Sequence, residues 1–349
     1  MTILPPFRML PAFRHGADTP WGGDALRKIF GKDIPDDRTG ESLEVSALPG
    51  LISRDETGAG LDELIARHGR ALTGSRVGEP FPLLLKLIDA RDRLSVQTHP
   101  DDAYAAAHEN GKLGKTEAWV ILAAKPGARL IYGLAPDCGV RELRAALDRA
   151  GEQGAAERVA ACFKYEEVKP GDVFYIPSGT IHAIGEGILL YEIQQSSDVT
   201  YRLWDWMRTD ARGGMRDLHI DHALAVHKHS RYGGALSGAA MPFGTGSRTL
   251  YIADDNFALE RLTISGGMRQ HPDGSSFSLL TPLGNGRLIW ENGSLPFAPG
   301  DTLFIPASAP IFDIQGNLDI LKSYVPDRPA LRAELGALAE RVAGLMDDV

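Results

Sequence analysis

The sequence predicts a mainly β protein that contains two related β-domains. The 39 glycines and 22 prolines fall between short apolar runs, and short strands separated by turn residues are typical of β-sandwiches and barrels. The segment Pro170-Gly-Asp-Val-Phe-Tyr-Ile-Pro177 recurs 129 residues later as Pro299-Gly-Asp-Thr-Leu-Phe-Ile-Pro306. Each copy is a turn followed by an apolar strand, so the repeat indicates two domains of similar construction.

Six apolar or alternating stretches predict strands. In chain order they are Phe81–Ile88, Arg93–His99, Glu117–Ala124, Asp172–Ile176, Ile188–Ile193 and Thr200–Asp205. The second stretch alternates between apolar and polar residues, and side chains two apart on a strand project from the same face. We therefore expect Ser95, Gln97 and His99 to share one face.

Fewer stretches have the periodicity of a helix. They are Leu61–Leu72, Val140–Ala150, Ala155–Cys162, Leu218–Val226 and Pro329–Met346. The second and third lie between predicted strands and indicate a small helical insert. The last begins with a proline, which suits the first turn of a C-terminal helix.

Composition limits the partners and the location. The formal net charge is −9 without a block of basic residues, which opposes nucleic acid or an anionic membrane as the main partner but permits a small anionic substrate in a locally positive pocket. No stretch approaches the roughly 20 apolar residues that span a bilayer. The two cysteines provide no disulfide framework, which favours a reducing compartment. The start of the chain lacks the apolar core of a signal peptide. We therefore expect a cytoplasmic protein.

Four polar residues are candidates for a metal site. Gln97 and His99 share a face of one predicted strand, Glu117 begins another, and His182 follows a Ser-Gly turn. Two imidazoles, a carboxylate and an amide oxygen can surround a borderline divalent cation such as zinc and leave positions for water or substrate.

The repeat assigns this site to the first domain. Alignment of the two copies places Ile311 opposite His182, so the second copy keeps the turn and strand but lacks the histidine. A further group of histidines, in a charged and mostly helical segment, is expected to lie on a solvated face without metal. Its members are His219, His222, His227 and His229.

Seven motifs between about residues 20 and 225 can be compared with known families. They are Trp21-Gly-Gly23, Gly40-Glu-Ser-Leu-Glu-Val-Ser46, Phe81-Pro-Leu-Leu-Leu-Lys86, Leu94-Ser-Val-Gln-Thr-His-Pro-Asp-Asp102, Gly114-Lys-Thr-Glu-Ala-Trp119, the stretch 170–183, and Glu192-Ile-Gln-Gln-Ser-Ser-Asp-Val-Thr-Tyr-Arg202. In order and spacing they resemble the short bacterial form of type I mannose-6-phosphate isomerases.

The resemblance implies a cupin-type double jelly roll with a small helical insert and a C-terminal helix. We expect residues 1–134 and 163–230 to form the metal-binding catalytic domain, with the insert at 135–162. Residues 231–349 are expected to form a second, metal-free jelly roll that ends in the helix.

The resemblance also implies one zinc ion per chain and the interconversion of mannose 6-phosphate and fructose 6-phosphate, which proceeds through a cis-enediol. The implied ligands are Gln97, His99, Glu117 and His182.

Three further residues match active-site positions of that family. Arg202 either stabilises an enediolate or binds an anionic oxygen. Glu192 is either the base or a carboxylate that orients the base. Lys115 either shuttles a proton or offsets the charge of the ligands.

Phosphate requires cationic or hydroxyl donors, and the sequence does not single out one donor. The candidates are Ser95, Lys86, Arg93 and Arg208. No oligomeric state is predicted.

Two other functions compete with the isomerase. An iron or manganese oxygenase of the cupin class also uses two histidines and a carboxylate, but it has no specific need for Lys115 and Arg202. The second competing function is that of a sugar-phosphate-binding protein without catalysis. The complete set of metal ligands argues against it, because a non-catalytic copy would be expected to lose a ligand.

Overall fold

The computed structural model describes residues 2–209, 212–229 and 233–336. Its strands, numbered along the chain, form three antiparallel sheets. The helices are α1 (Ala25–Phe30), α2 (Leu61–His68), α3 (Arg70–Thr73), α4 (Asp102–His108), α5 (Val140–Asp148), α6 (Ala155–Ala161) and α7 (Ile220–Val226), and residues 328–336 are also helical. Within these described ranges, no helix is long and apolar enough to cross a membrane.

Two sheets face each other in the first part of the chain. The larger contains, in spatial order, β10 (Val173–Ile176), β7 (Glu117–Ala124), β12 (Ile188–Gln195), β5 (Leu83–Ala90), β3 (Thr39–Val45) and β2 (Ala12–His15). The smaller contains β13 (Tyr201–Trp204), β6 (Val96–Thr98), β11 (His182–Ala183), β8 (Arg129–Leu134) and β9 (Phe163–Glu167). Apolar side chains from both sheets, such as Leu190 and Leu130, pack into one core between them.

The third sheet is built mainly from the C-terminal part of the chain. Its strands are β14 (Ala239–Phe243), β15 (Gly246–Ala253), β16 (Ala258–Gln270), β21 (Phe312–Tyr324), β17 (Ser278–Pro282), β20 (Thr302–Ile305), β1 (Phe7–Leu10) and β4 (Arg54–Asp55), with β18 (Gly286–Trp290) and β19 (Gly293–Phe297) joined to β21. Leu262 and Ile320 pack in a core of its own. On the other face, Leu321 packs in a core shared with Leu85 of β5. Apolar strand faces therefore join the first unit, formed by the two facing sheets, to the second unit, formed by the third sheet.

The predicted mainly β fold with a helical insert is confirmed. The predicted strand Arg93–His99 is shorter, since only Val96–Thr98 pairs as a strand. The predicted helix Leu61–Leu72 is divided at Gly69, whose φ of 49° lies in the left-handed region that favours glycine. Helix 328–336 begins where the C-terminal helix was expected, and residues 337–349 lie outside the described residues.

The N-terminal strand belongs to the third sheet. Phe7 lies opposite Phe304, and Leu10 lies opposite Arg54, which comes from β4. Two short strands within the predicted first domain therefore pair with the second unit. The domain boundaries stay a proposal, and this pairing argues for assigning β1 and β4 to the second domain. The cytoplasmic location likewise stays a prediction.

Candidate metal centre and active-site cleft

Strand pairing brings the four predicted metal ligands together. Gln97 on β6 lies opposite His182 of β11 on one side and opposite Arg202 of β13 on the other. His99 follows β6 directly, and Glu117 begins β7 in the facing sheet. The cluster therefore bridges the two sheets of the first unit.

The donor atoms converge on a small volume. Ligand atoms of His99, Glu117 and His182 all lie within 4.8 Å of one another, and all three residues are buried. The Glu117 carboxylate lies 3.1 Å from His182 Nε2 and 3.6 Å from His99 Nε2. The Gln97 amide nitrogen is 3.5 Å from His182 Nε2, and rotation of this amide by half a turn presents its oxygen instead.

Backbone carbonyls define the tautomer of both histidines. His99 Nδ1 lies 2.9 Å from the carbonyl oxygen of Val199, and His182 Nδ1 lies 2.9 Å from that of Thr180. Because a carbonyl only accepts hydrogen bonds, each Nδ1 carries the proton and each Nε2 presents a lone pair to the centre.

The lone pair of His182 faces the carboxylate of Glu117 rather than a donor. Glu117 Oε1, which faces His182, accepts no hydrogen bond within the part of the chain that the structure describes, while Oε2 lies beside the Lys115 ammonium. Buried acceptors that face one another in this way are destabilising unless a cation lies between them. The donor set therefore fits a divalent metal, and two imidazoles with one carboxylate suit zinc, iron or manganese.

Lys115 balances the charge of the centre. Its Nζ lies 2.9 Å from Glu117 Oε2 and 3.1 Å from His99 Nε2. Burial opposes ionisation of Glu117, but the ammonium of Lys115 and the imidazoles of His182 and His99 together outweigh it and hold the pKa of the carboxyl well below its usual range. Burial, with a contribution from Lys115, holds the pKa of His99 well below its usual value. Both groups are thus kept in the forms that bind metal.

A cleft of about 200 Å³ opens beside Gln97. Of the predicted site residues, it is lined by Gln97, Lys86, Ser95, Lys115, Glu192 and Arg202. Lys86 Nζ lies 3.2 Å from Glu192 and 3.7 Å from Glu41. Burial disfavours its charge, but these carboxylates outweigh burial and raise the pKa of Lys86, so the cleft retains a buried cation.

Glu192 is connected to the metal centre through Trp119. The indole Nε1 of Trp119 donates to Glu192 Oε2 at 2.9 Å, while the same ring packs edge-on against His182 with 5.3 Å between centroids. Both oxygens of Glu192 are therefore held, one by an indole and one by the Lys86 ammonium.

Arg202 lies across the cleft from this pair. Its Nε donates to Ser95 Oγ at 3.3 Å, and its Nη1 donates to the carbonyl oxygen of Asp217 at 2.9 Å. Burial, together with Arg216, lowers the pKa of Arg202, although a guanidinium stays cationic near neutral pH. A hydroxyl and a guanidinium thus face the cleft together and offer donors to an anionic oxygen.

Two of the predicted phosphate ligands, Arg93 and Arg208, do not line this cleft, and their role stays a prediction. Arg93 is exposed and stacks on Trp206, with 3.8 Å between its guanidinium carbon and the ring centroid. Arg208 donates to the carbonyl oxygen of Arg93 at 2.6 Å. Neither lines the cleft, because local partners hold both guanidinium groups outside it.

Two arginines that sequence reasoning missed line the cleft instead. Arg14 on β2 lies 3.5 Å from Glu41, and Arg216 forms two hydrogen bonds to Asp205, of 2.8 and 2.7 Å. The alternation of β2 is too short to predict which way Arg14 points, and no motif marks Arg216.

The facing sheets and the buried cluster of two histidines and one carboxylate define a cupin with a candidate metal centre. The profile described as "Phosphomannose isomerase type I, catalytic domain" matches residues 9–118, and "Mannose-6-phosphate isomerase, cupin domain" matches residues 247–325. The chain belongs to the type I mannose-6-phosphate isomerase family. The resemblance in the sequence motifs is thereby confirmed, as is the prediction that the chain is an isomerase of this family.

Individual relatives cover nearly the whole chain. A mannose-6-phosphate isomerase of Streptococcus mutans is 38% identical over 308 residues, which are 87% of this chain and 94% of that protein. The mannose-6-phosphate isomerase ManA of Bacillus subtilis is 36% identical and is covered over its full length, against 93% of this chain. The crystal structure of the mannose 6-phosphate isomerase from Bacillus subtilis superposes with a TM-score of 0.83 at 33% identity, covering 92% of this chain and 99% of that one.

Proposed function

We propose that the chain interconverts mannose 6-phosphate and fructose 6-phosphate in the cleft, with one zinc ion held by the four-residue centre. The observation that carries this proposal is the convergence of ligand atoms from His99, His182 and Glu117, in which the acceptor atoms of His182 and Glu117 face each other at 3.1 Å. With Gln97, they form an open nitrogen and oxygen set of the kind that catalytic zinc sites use. The names of the relatives supply mannose 6-phosphate as the substrate, and its aldose–ketose isomerisation gives fructose 6-phosphate.

A bound zinc ion would polarise the oxygens of the sugar and fix their orientation. The remaining chemistry belongs to side chains. Isomerisation through a cis-enediol moves one proton between C1 and C2 and develops negative charge on oxygen, which Arg202 is placed to stabilise. Glu192 is held at both oxygens, which favours the role of orienting Lys86 over that of abstracting the proton. Lys115 offsets the charge of Glu117.

Phosphate binding is assigned to the cations and the hydroxyl that line the cleft. Ser95 and Lys86 remain candidates, and Arg14 and Arg216 replace Arg93 and Arg208. Guanidinium groups suit a phosphate because two parallel N–H donors can contact two oxygens at once. The partner is thus a phosphorylated sugar.

The experiment that tests the proposal is a coupled assay that follows conversion of mannose 6-phosphate to fructose 6-phosphate, before and after chelation. We expect chelation to remove the activity and zinc to restore it, since the cluster lacks its bridging cation without metal. Restoration by manganese or iron but not by zinc would contradict the choice of metal. Absence of turnover by a folded, zinc-loaded sample would overturn the isomerase proposal and favour a non-catalytic sugar-phosphate-binding protein.

Trp119→Phe is expected to lower kcat by about 10- to 100-fold, the usual cost of losing a group that orients the residues around a metal. The change removes the donor to Glu192 Oε2 but keeps a ring against His182. Steady-state kinetics and metal content measure the outcome, and metal should be retained. Trp290→Phe, in β18 of the second unit, is the matched control and should leave kcat unchanged. Equal kcat in both variants would exclude Trp119 from the positioning of Glu192.

A further inference from the structure

A second cavity, of about 450 Å³, lies in the C-terminal unit. Glu260 of β16 and Lys322 of β21 lie opposite each other in register, so their side chains project from the same face of the sheet. Leu262 and Ile320, two residues away on the same strands, pack in the core of that unit. The charged pair therefore lies on the inner face of the second β-unit, and the cavity shares no lining residue with the active-site cleft.

The polar groups of this cavity are only partly satisfied. Glu260 is 0% exposed, and its Oε1 accepts hydrogen bonds from Arg248 Nη2 at 2.6 Å and from the hydroxyl of Tyr324. Its Oε2 and the Nε of Arg248 have no hydrogen-bond partner in the described part of the chain.

Lys322 adds an ammonium to the same cavity. Its Nζ lies 5.2 Å from the ring centroid of Tyr324, and among the described residues it forms no hydrogen bond or ion pair. Burial is the main cause that lowers its pKa. Buried donors and acceptors without partners are unfavourable for folding, so their retention around one cavity indicates a function that uses them.

We propose that this cavity binds a small, neutral, polyhydroxylated molecule, of the class of free monosaccharides and sugar alcohols. The buried unsatisfied atoms are one acceptor, Glu260 Oε2, and one donor, Arg248 Nε, and the ammonium of Lys322 in the same lining adds a second donor. A hydroxyl group both donates and accepts, so adjacent hydroxyls satisfy all three. The volume lies within the range of small-molecule sites, and Tyr324 in its lining adds an aromatic ring.

The charge balance argues for a neutral ligand over a phosphorylated one. The lining contains three cationic side chains and four carboxylates. The cations are Arg76, Arg248 and Lys322, and the carboxylates are Glu260, Asp273, Asp327 and Glu334. Arg76 and Arg248 are already paired with members of this set. A phosphate would therefore meet no excess of positive charge.

The test is calorimetric titration of the full chain with D-mannitol and with D-mannose, neither of which carries a phosphate. We expect saturable binding of at least one of them at a single site. Lys322→Met and Glu260→Gln should each weaken it by about tenfold or more, the effect of losing one hydrogen bond to a charged group. Thermal melts of both variants verify that they are folded.

Arg202→Ala distinguishes this site from the active-site cleft. It should leave the binding of the sugar unchanged, whereas Lys322→Met should leave isomerase turnover unchanged. Absence of saturable binding of both probes, undiminished binding by folded Lys322→Met, or loss of binding in Arg202→Ala would each overturn the proposal. None of these outcomes depends on whether the cleft isomerises mannose 6-phosphate.

Discussion

His182→Ala is expected to abolish metal binding and isomerase activity together. The imidazole supplies one lone pair to the centre, and its Nε2 lies 3.1 Å from Glu117. Loss of an outer group that orients a ligand typically costs 10- to 100-fold in affinity, so loss of a ligand itself should exceed about 100-fold. Metal content after gel filtration and the coupled assay measure the two effects, and a thermal melt without added metal verifies the fold.

Ile311→Ala is the matched control, because the repeat places Ile311 at the position of His182 in the second unit. Its side chain is 53% exposed, so truncation to alanine should cost little stability. Metal content and turnover should equal those of the unchanged chain. Equal loss of metal in both variants would show that the alignment of the two Pro-Gly-Asp units is wrong.

The direction of the Gln97 and His99 side chains could be predicted because it depends on local alternation. Their convergence with His182 could not be derived in this way. His182 lies in a strand of only two residues, β11, which is too short to carry a pattern, and its register opposite Gln97 is a long-range contact. The residue types make His182 a candidate ligand and the family motif supports it, but neither gives this register.

The phosphate candidates show the same division between local and long-range information. Arg93 and Arg208 are candidates because of their charge, but arginine side chains are long, and their direction depends on the partners that surround them. A neighbouring indole holds Arg93. Arg14 reaches the cleft because β2 pairs with β3 at the edge of the larger sheet, a pairing that no local pattern indicates.

The sheet that the N-terminal strand joins likewise could not be predicted from the sequence. Phe7–Leu10 is a short strand close to the first unit along the chain, yet it pairs with β20 of the second. Stacking of Phe7 on Phe304, with 5.2 Å between centroids, supports that pairing. Contacts between residues almost 300 positions apart are decided by the packed core rather than by propensity.

Arg202→Ala is expected to lower kcat by about 100- to 1000-fold while metal is retained, the usual effect of removing a group that stabilises a developing oxyanion. Arg202 lies opposite Gln97 across paired strands but is not among the metal ligands, so metal content should not change. Arg93→Ala is the control. It removes an arginine that lies outside the cleft, and its kcat should stay within about threefold of the unchanged chain, as for surface substitutions.

The two roles open to Arg202 differ in the kinetic constant that they change. An arginine that stabilises the enediolate contributes only in the transition state, so its removal lowers kcat and leaves KM nearly constant. An arginine that holds the phosphate binds ground state and transition state alike, and its removal raises KM instead. The hydrogen bond from Arg202 Nε to Ser95 orients the guanidinium in either role. Ser95→Ala should therefore change the same kinetic constant as Arg202→Ala, by a smaller factor. Unchanged kcat and KM in Arg202→Ala would remove this residue from the mechanism.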